Sequence, residues 1–558
     1  MVKLGFWKAA RAVFLVCIAI AIVSPAQIVQ LYMFQGGDGP PSQAALVQGF
    51  DAYLYGTTDW EGEVFKLPTG QFGTDPNLYF FCSQPNCTDG SNPFGGLVQA
   101  TDGNFYGTTT SGGSNGCNAG CGTVFEITPG GTLTTLYRFR GPDGATPIAG
   151  LIQASDGSFY GTTYAGGANS AGTIFNITSA GVLTVLYNLC AKPSCADGGN
   201  PRGALVQGTD GSFYGTTSAG GTGNAGTVFK ITPMGKLTTL HTFGGTDGAN
   251  PFAGLIQASD GKFYGTTYAG GTYGLGAILN ITSGGTLTTL HSFCAQGFPW
   301  CLDGANPYGG LVQSVQGYFF GTSYTGGTTY KNTPAAGTIF KYFPSDGSVA
   351  AEYSFCSAGG CADGENPAAG LIEGTDGNLY GTTEGGGVGL GTVFSLRSGD
   401  SPFVKTNPIS GTVGSTIGVL GQGFTGTKKV VFGGVAAAYT VASDTYLTAT
   451  MPSGARTGTV TVTTLAGTLK SGTKFRVLPS ITSFKPTSGR IGASVVITGV
   501  SLTQTSKVTF GGAKATTATA NSDTQVTATV PIGAKTGKIV ITTAGGSATS
   551  SGTFTVTP

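Results

Sequence analysis

Two histidines are the only side chains suited to act as a neutral-pH general base, and both sit in one recurring phrase. His241 and His291 each occupy the fifth position of Leu-Thr-Thr-Leu-His-x-Phe. Sister phrases hold Tyr137, Tyr187 and Tyr353 at that position. A residue that exchanges with tyrosine from copy to copy is a repeat position, so a Ser-His-Asp or Cys-His nucleophile system has no base to run on. The carboxylates are patterned in the same way. Asp102, Asp156, Asp210, Asp260 and Asp376 each precede a glycine, and Asp38, Asp89, Asp143, Asp197, Asp247, Asp303 and Asp363 mark a second Asp-Gly. Such sets could form a glycosidase pair or a ring of calcium ligands, but no Asp-x-Asp-x-Asp-Gly loop occurs. Turn chemistry is the expected role. Asp156-Gly157, for example, predicts a two-residue type I′ turn with positive φ at both positions. Glu373 and Glu384 break the repeat and are the only paired acids that invite an acid–base role. Arg138, Arg140 and Arg202 are the other polar residues that depart from the pattern.

Of eleven cysteines, Cys17 stands apart and ten fall into close pairs: Cys82 with Cys87, Cys117 with Cys121, Cys190 with Cys195, Cys294 with Cys301, and Cys356 with Cys361. No pair is a Cys-x-x-Cys and the only two histidines are far from suitable, so local disulfides are expected and neither a metal nor any other cofactor.

These residues are positioned by a repeat. Tyr-Gly-Thr-Thr recurs at Tyr55, Tyr106, Tyr160, Tyr214, Tyr264 and Tyr380, with Phe320-Gly-Thr-Ser as the sixth of seven copies, at intervals of 50 to 60 residues. In the third unit, residues 131–181, strands are predicted at 133–139, 150–155, 159–164 and 172–178, with Gly, Pro and Asp between them and no room for a helix. Four-stranded units that cannot bury their faces alone must stack, and seven of them close a ring. The first unit opens on an unpaired strand, 28–34, and the seventh ends on one, 391–396. The N-terminal strand is therefore expected to complete the last blade. The fold class that follows is all-β: a seven-bladed β-propeller over 27–398, a linker at 399–402, and two Ig-like β-sandwich domains at 403–478 and 479–558.

Both ends of the chain carry further signals. Residues 1–26 read as a secretory signal, with Lys3, Lys8 and Arg11 before an apolar stretch and a small-residue cleavage site near Ala26. No later segment is expected to span a membrane. Residues 27–400 hold 11 basic and 24 acidic side chains, net −13, whereas 401–558 hold 13 and 2, net +11. A basic tail can lean on an anionic surface or acidic polysaccharide, or its lysines can simply protect sheet edges. Nucleic acid is not an expected partner, since no basic stripe interleaves with aromatics.

Two resemblances follow from the phrases themselves. Pro408, Gly411, Gly414, Gly421, Gly423, Phe424, Phe432-Gly-Gly, Pro452 and Gly458 resemble the IPT/TIG immunoglobulin-like family, as do Pro486, Gly489, Gly492, Gly499, Phe510-Gly-Gly, Pro531 and Gly537 in the second copy. That copy departs at Val500-Ser-Leu. The seven repeats, with Asp-Gly-x-Phe-Tyr-Gly-Thr-Thr and Gly-Thr-Ile/Val-Phe as motifs, resemble the GloVer-type tandem repeat of secreted bacterial surface proteins. The resemblance implies an exported surface protein and no particular reaction. In a propeller the inter-blade loop and the loop between second and third strands open on one face, so all five cysteine loops are expected on one rim. Its longest insertions carry Phe298, Trp300 and Tyr330, which suit stacking on a sugar or anchoring a protein, or else pack over the blade edge. The expected function is carbohydrate or protein binding at a cell surface, without enzymatic activity. A polysaccharide lyase or glycoside hydrolase on the same scaffold is the alternative.

Overall fold

The computed structural model describes residues 28–35, 39–60, 62–70, 76–113, 116–297, 301–328, 336–357 and 359–558. Among these residues the regular structure is β-strand with a few short 3₁₀ turns, and no helix is long and apolar enough to cross a membrane. Seven four-stranded antiparallel sheets follow one another along the chain. In the third, strands 152–153, 159–163, 173–177 and 183–188 pair in order from the axis outward. The inner strand is shorter than the sequence suggests, only two residues.

The Tyr-Gly-Thr-Thr core of each such strand is buried, and its residue types account for that. The tyrosine ring packs on the phenylalanine that opens the same strand in the next blade: Tyr106 on Phe159 and Tyr160 on Phe213 at 4.0 Å, Tyr214 on Phe263 at 3.9 Å. The glycine is required by close approach, since a Cβ on Gly161 would lie 2.7 Å from Leu151 and 2.8 Å from Phe175. The tyrosine hydroxyl reaches the hairpin tip and donates to its aspartate, as Tyr160 does to Asp156 at 2.8 Å and Tyr106 to Asp102 at 2.7 Å. A buried hydroxyl needs such a partner. The sixth copy dispenses with both members at once, Phe320 standing for the tyrosine and Gln316 for the aspartate.

The hairpin itself differs from expectation. Gly157 has φ +86°, but Asp156 stays out of the left-handed region, and Ala154 accepts from Gly157 N–H. This is a three-residue loop with glycine at the left-handed position, not a type I′ pair; the aspartate is kept for its carboxylate. The second Asp-Gly has an equally structural role. Tyr137 donates to Asp143 at 2.6 Å and Tyr187 to Asp197 at 2.8 Å, and His241–Asp247 (2.7 Å) and His291–Asp303 (2.8 Å) repeat that bond with an imidazole.

A second set of bonds links neighbouring blades. Gln153, Gln207, Gln257 and Gln313 end the inner strands, and each accepts a backbone N–H from the preceding blade at 2.9–3.0 Å. Gln48 closes the circuit by accepting from Thr375 N–H at 3.0 Å. The ring closes as the sequence predicts: strand 28–33 runs antiparallel to 392–397, Ile28 opposite Leu396 and Met33 opposite Thr392.

All five cysteine pairs form intraloop disulfides. Cys82 is joined to Cys87, Cys117 to Cys121, Cys190 to Cys195, Cys294 to Cys301, and Cys356 to Cys361. Four of these loops follow outer strands, and the Cys117 loop lies between second and third strands, so they share one face. The second cysteine of a pair also ties its loop to the blade through its carbonyl. Cys195 accepts from the N–H groups of Gly198 and Gly221, both at 2.9 Å. Cys301 accepts from Gly304 at 2.9 Å and Gly327 at 2.7 Å. Non-reducing peptide mapping is expected to recover these five links; a bridge between blades would contradict the arrangement.

Two β-sandwiches follow, each with two four-stranded sheets and a short parallel pair (410–411 with 476–477, and 488–489 with 555–556). Their cores centre on Phe424, Phe432 and Phe475, and on Leu502, Phe510 and Phe554. The departure at Val500-Ser-Leu keeps the backbone path of the first copy but leaves the buried Ser501 hydroxyl without a hydrogen-bond partner. Ser501 adopts φ +59° where the first copy has Gly423 at +71°, and Leu502 is as buried as Phe424.

The first sandwich docks on the propeller face opposite the disulfides. Tyr446 stacks on Phe50 at 4.5 Å, Asn407 donates to the Gln99 carbonyl at 2.7 Å, and Arg476 donates to that of Gly208 at 3.2 Å. Gly472 abuts Val315, and Phe403 N–H bonds Thr375. These contacts come from five of the seven blades, on opposite sides of the axis, so the sandwich spans that end of the channel. Glu373, at the glutamine position of the seventh blade, lies in this junction beside Asp400, with Lys405 donating to its backbone carbonyl.

Candidate functional site

Two positions in the repeat change identity from copy to copy while their flanks stay constant. The residue after Asn-Pro, or its equivalent, is Gln43, Phe94, Ile148, Arg202, Phe252, Tyr308 and Ala368 in turn. The residue after Tyr-Gly-Thr-Thr is Asp59, Thr110, Tyr164, Ser218, Tyr268, Tyr324 and Glu384. The first precedes the inner strand and the second ends the next strand, so both open on the disulfide face around the axis. Six of the first set line a central cavity of about 370 Å³, whose floor includes Gly, Ala and Leu of the segments that lead into the inner strands. That volume falls in the range of small-molecule sites.

The polar members converge. Arg202 donates to the Tyr308 hydroxyl at 2.9 Å, although the two are 106 residues apart. Its guanidinium lies 4.4 Å from the centroid of Phe252 and 5.6 Å from that of Tyr164, within cation–π range. Phe252 stacks on Tyr268 at 4.8 Å and meets Tyr308 at 5.0 Å. Across the mouth, Gln43 donates to Glu384 at 2.8 Å and Tyr324 donates to its other oxygen at 3.2 Å. Burial raises the Glu384 carboxyl above its ordinary range and the charge of Asp59 adds to this, against the two hydrogen bonds. Burial and then Glu384 push Tyr324 up to about 12. Burial likewise raises Tyr308, opposed by Arg202. Buried Gln43 Oε1 finds no hydrogen-bond partner. The arrangement can grip a polar ligand from two sides over aromatic walls.

The residues singled out in the sequence are dispersed. Glu373 and Glu384 do not form a pair: Glu373 lies in the sandwich junction, Glu384 at the mouth, and strand 378–383 separates them. Six residues of strand span roughly 20 Å, well beyond the carboxylate spacing of a glycosidase. Arg138 ends an outer strand and donates to the Thr88 carbonyl at 2.8 Å; Arg140 follows it, its N–H on Asp143. Only Arg202 and Glu384 reach the mouth. The cysteines fasten loops on the rim, and the described residues that line the cavity include none of them, Cys195 and Cys301 no more than the rest. Phe298, Trp300 and Tyr330, with Asp38 and residues 1–27, lie outside the described residues. Among the described residues, one group of side chains is spaced as metal ligands, Cys356, Cys361 and Glu365, and its two cysteines are tied in a disulfide. The aromatics Tyr164, Phe252, Tyr268 and Tyr308 were missed. Their signal was variation inside an otherwise constant phrase.

No curated protein matches the chain. Among solved structures, a streptogramin B lyase aligns at 16% identity and TM-score 0.45, covering 66% of this chain and 97% of that one. A fungal alcohol oxidase of the AA5 family, in complex with copper, aligns at 13% and 0.46, covering 81% and 98%. A surface glycan-binding protein from Prevotella bryantii aligns at 20% and 0.22, covering 28% and 39%. At such scores these likenesses carry no argument about chemistry. The Gloeobacter/Verrucomicrobia repeat matches at 60–261, 187–394 and 254–440, and the IPT/TIG domain at 479–556. With the repeat matched across most of its length, the chain belongs to the Gloeobacter/Verrucomicrobia repeat family and carries an IPT/TIG domain at its C-terminal end.

Proposed function

We propose that this is an exported surface binding protein whose propeller receives a carbohydrate at the channel mouth on the disulfide face. One observation carries the reading: the positions that vary between blades converge on that mouth, while the opposite face is occupied by the first sandwich. Aromatic walls and polar groups that can both donate and accept suit a sugar, which offers apolar ring faces and hydroxyls. Five disulfides fit an oxidising compartment.

A glycan array probed with the chain from residue 27 tests this. A glycan signal is expected, weakened at least tenfold in Tyr308→Ala and unchanged in Ser158→Ala on the opposite face. Trp300→Ala in the same assay distinguishes the loop insertions from the mouth. Binding that survives Tyr308→Ala but not Ser158→Ala would refute the assignment.

A further inference from the structure

Arg202 is the one cation among the described mouth residues, and it is held as an anion receptor is held. Phe252 and Tyr164 flank its guanidinium, Tyr308 takes one N–H, and no acidic side chain among the described residues pairs with it. A guanidinium fixed on aromatic faces has already lost its rotamer freedom, and its remaining donors match a carboxylate bidentately. The sister blades place Gln43, Phe94, Ile148, Phe252, Tyr308 and Ala368 at this position, so the charge is not repeat chemistry.

We infer that the mouth takes an acidic sugar, a uronate, with its carboxylate on Arg202. This rests on the binding role proposed above and specifies its ligand. The propeller's net −13 supplies no long-range attraction for an anion. At physiological ionic strength, however, exposed charges beyond about 8 Å are largely screened, so the local group decides. On the other side of Tyr308, the Glu384 carboxylate offers an acceptor. A ligand anionic at every edge would meet Glu384 unfavourably. A uronate has one carboxylate, hydroxyl donors at its other edges and an apolar ring face for the Phe252–Tyr308 wall.

The test compares oligomers of galacturonate, glucuronate, mannuronate and guluronate with their methyl-esterified forms, and with an acidic peptide, by titration calorimetry on the chain from residue 27. At least one uronate is expected to bind and to lose tenfold or more on esterification, a comparison that needs no variant. Arg202→Gln should lose a similar factor for the acid and barely change for the ester, with Arg202→Lys between. The inference is overturned if acid and ester bind alike, if only neutral glycans bind, or if the peptide alone binds. Binding by neutral glycans that Tyr308→Ala abolishes would remove the uronate and leave the proposed function standing. A chain that binds no glycan of any kind removes both.

Discussion

Removal of residues 28–35 is expected to open the ring at the seventh blade and destabilise it by about 3–6 kcal/mol. Leu31 and Phe34 are fully buried, and each such side chain contributes about 1.5–3 kcal/mol by burial alone. Strand 392–397 would become an exposed edge, so amides now bonded to 28–34 should lose hydrogen-exchange protection, while strands 152–188 should keep theirs. Unchanged protection in 392–397 would show that the ring does not depend on this strand. The lost area also exposes an unpaired edge, and the truncated chain should self-associate more readily.

The second large effect lies at the sandwich junction. Burial first, and Asp400 next, push Glu373 from an ordinary 4.5 up to about 8. The docked chain thus holds a proton that the undocked chain releases between about pH 4.5 and 8, and docking weakens as pH rises through that window. Burial pushes Lys405 the other way, from 10.5 down to about 8; part of the residue remains accessible but its amine is enclosed. Above about pH 8 the undocked chain holds the extra proton, and docking strengthens again. Each limb has a slope of at most about 1.4 kcal/mol per pH unit. Docking is therefore expected to pass through a minimum near pH 8, read as the protection factor of the Phe403 amide that bonds Thr375. Glu373→Gln restores the residue of the other six blades and should remove the falling limb. A minimum that persists in this variant would place its origin elsewhere.

The ring was legible because its period is written in residues that pack: Tyr-Gly-Thr-Thr needs a neighbour blade for its tyrosine and a close phenylalanine over its glycine. Ring closure was legible in two unpaired strand phrases, at 28–34 and 391–396. The hairpin type was not, because Asp-Gly fits two turn geometries and the hydroxyl of Tyr160 selects between them. The site was harder to see. Long insertions mark Phe298, Trp300 and Tyr330, which lie outside the described residues, whereas the candidate mouth is made of single substitutions inside constant phrases. Arg202 and Tyr308 meet only once seven blades are arranged about an axis. Glu373 and Glu384 looked like a pair because they are close in sequence, yet an extended strand carries them to opposite faces.

The docked sandwich turns the propeller's axial passage into a blind well. A polymer cannot thread through it, so whatever enters must present a terminus or a side branch and must leave by the way it came. Internal segments of a long unbranched chain can only lie across the rim. With the proposed glycan as ligand, occupancy on a surface should follow the number of chain tips more closely than the mass of polymer. On that proposal, cleaving a polymer into shorter pieces would multiply the ends it can receive without adding a single new sugar.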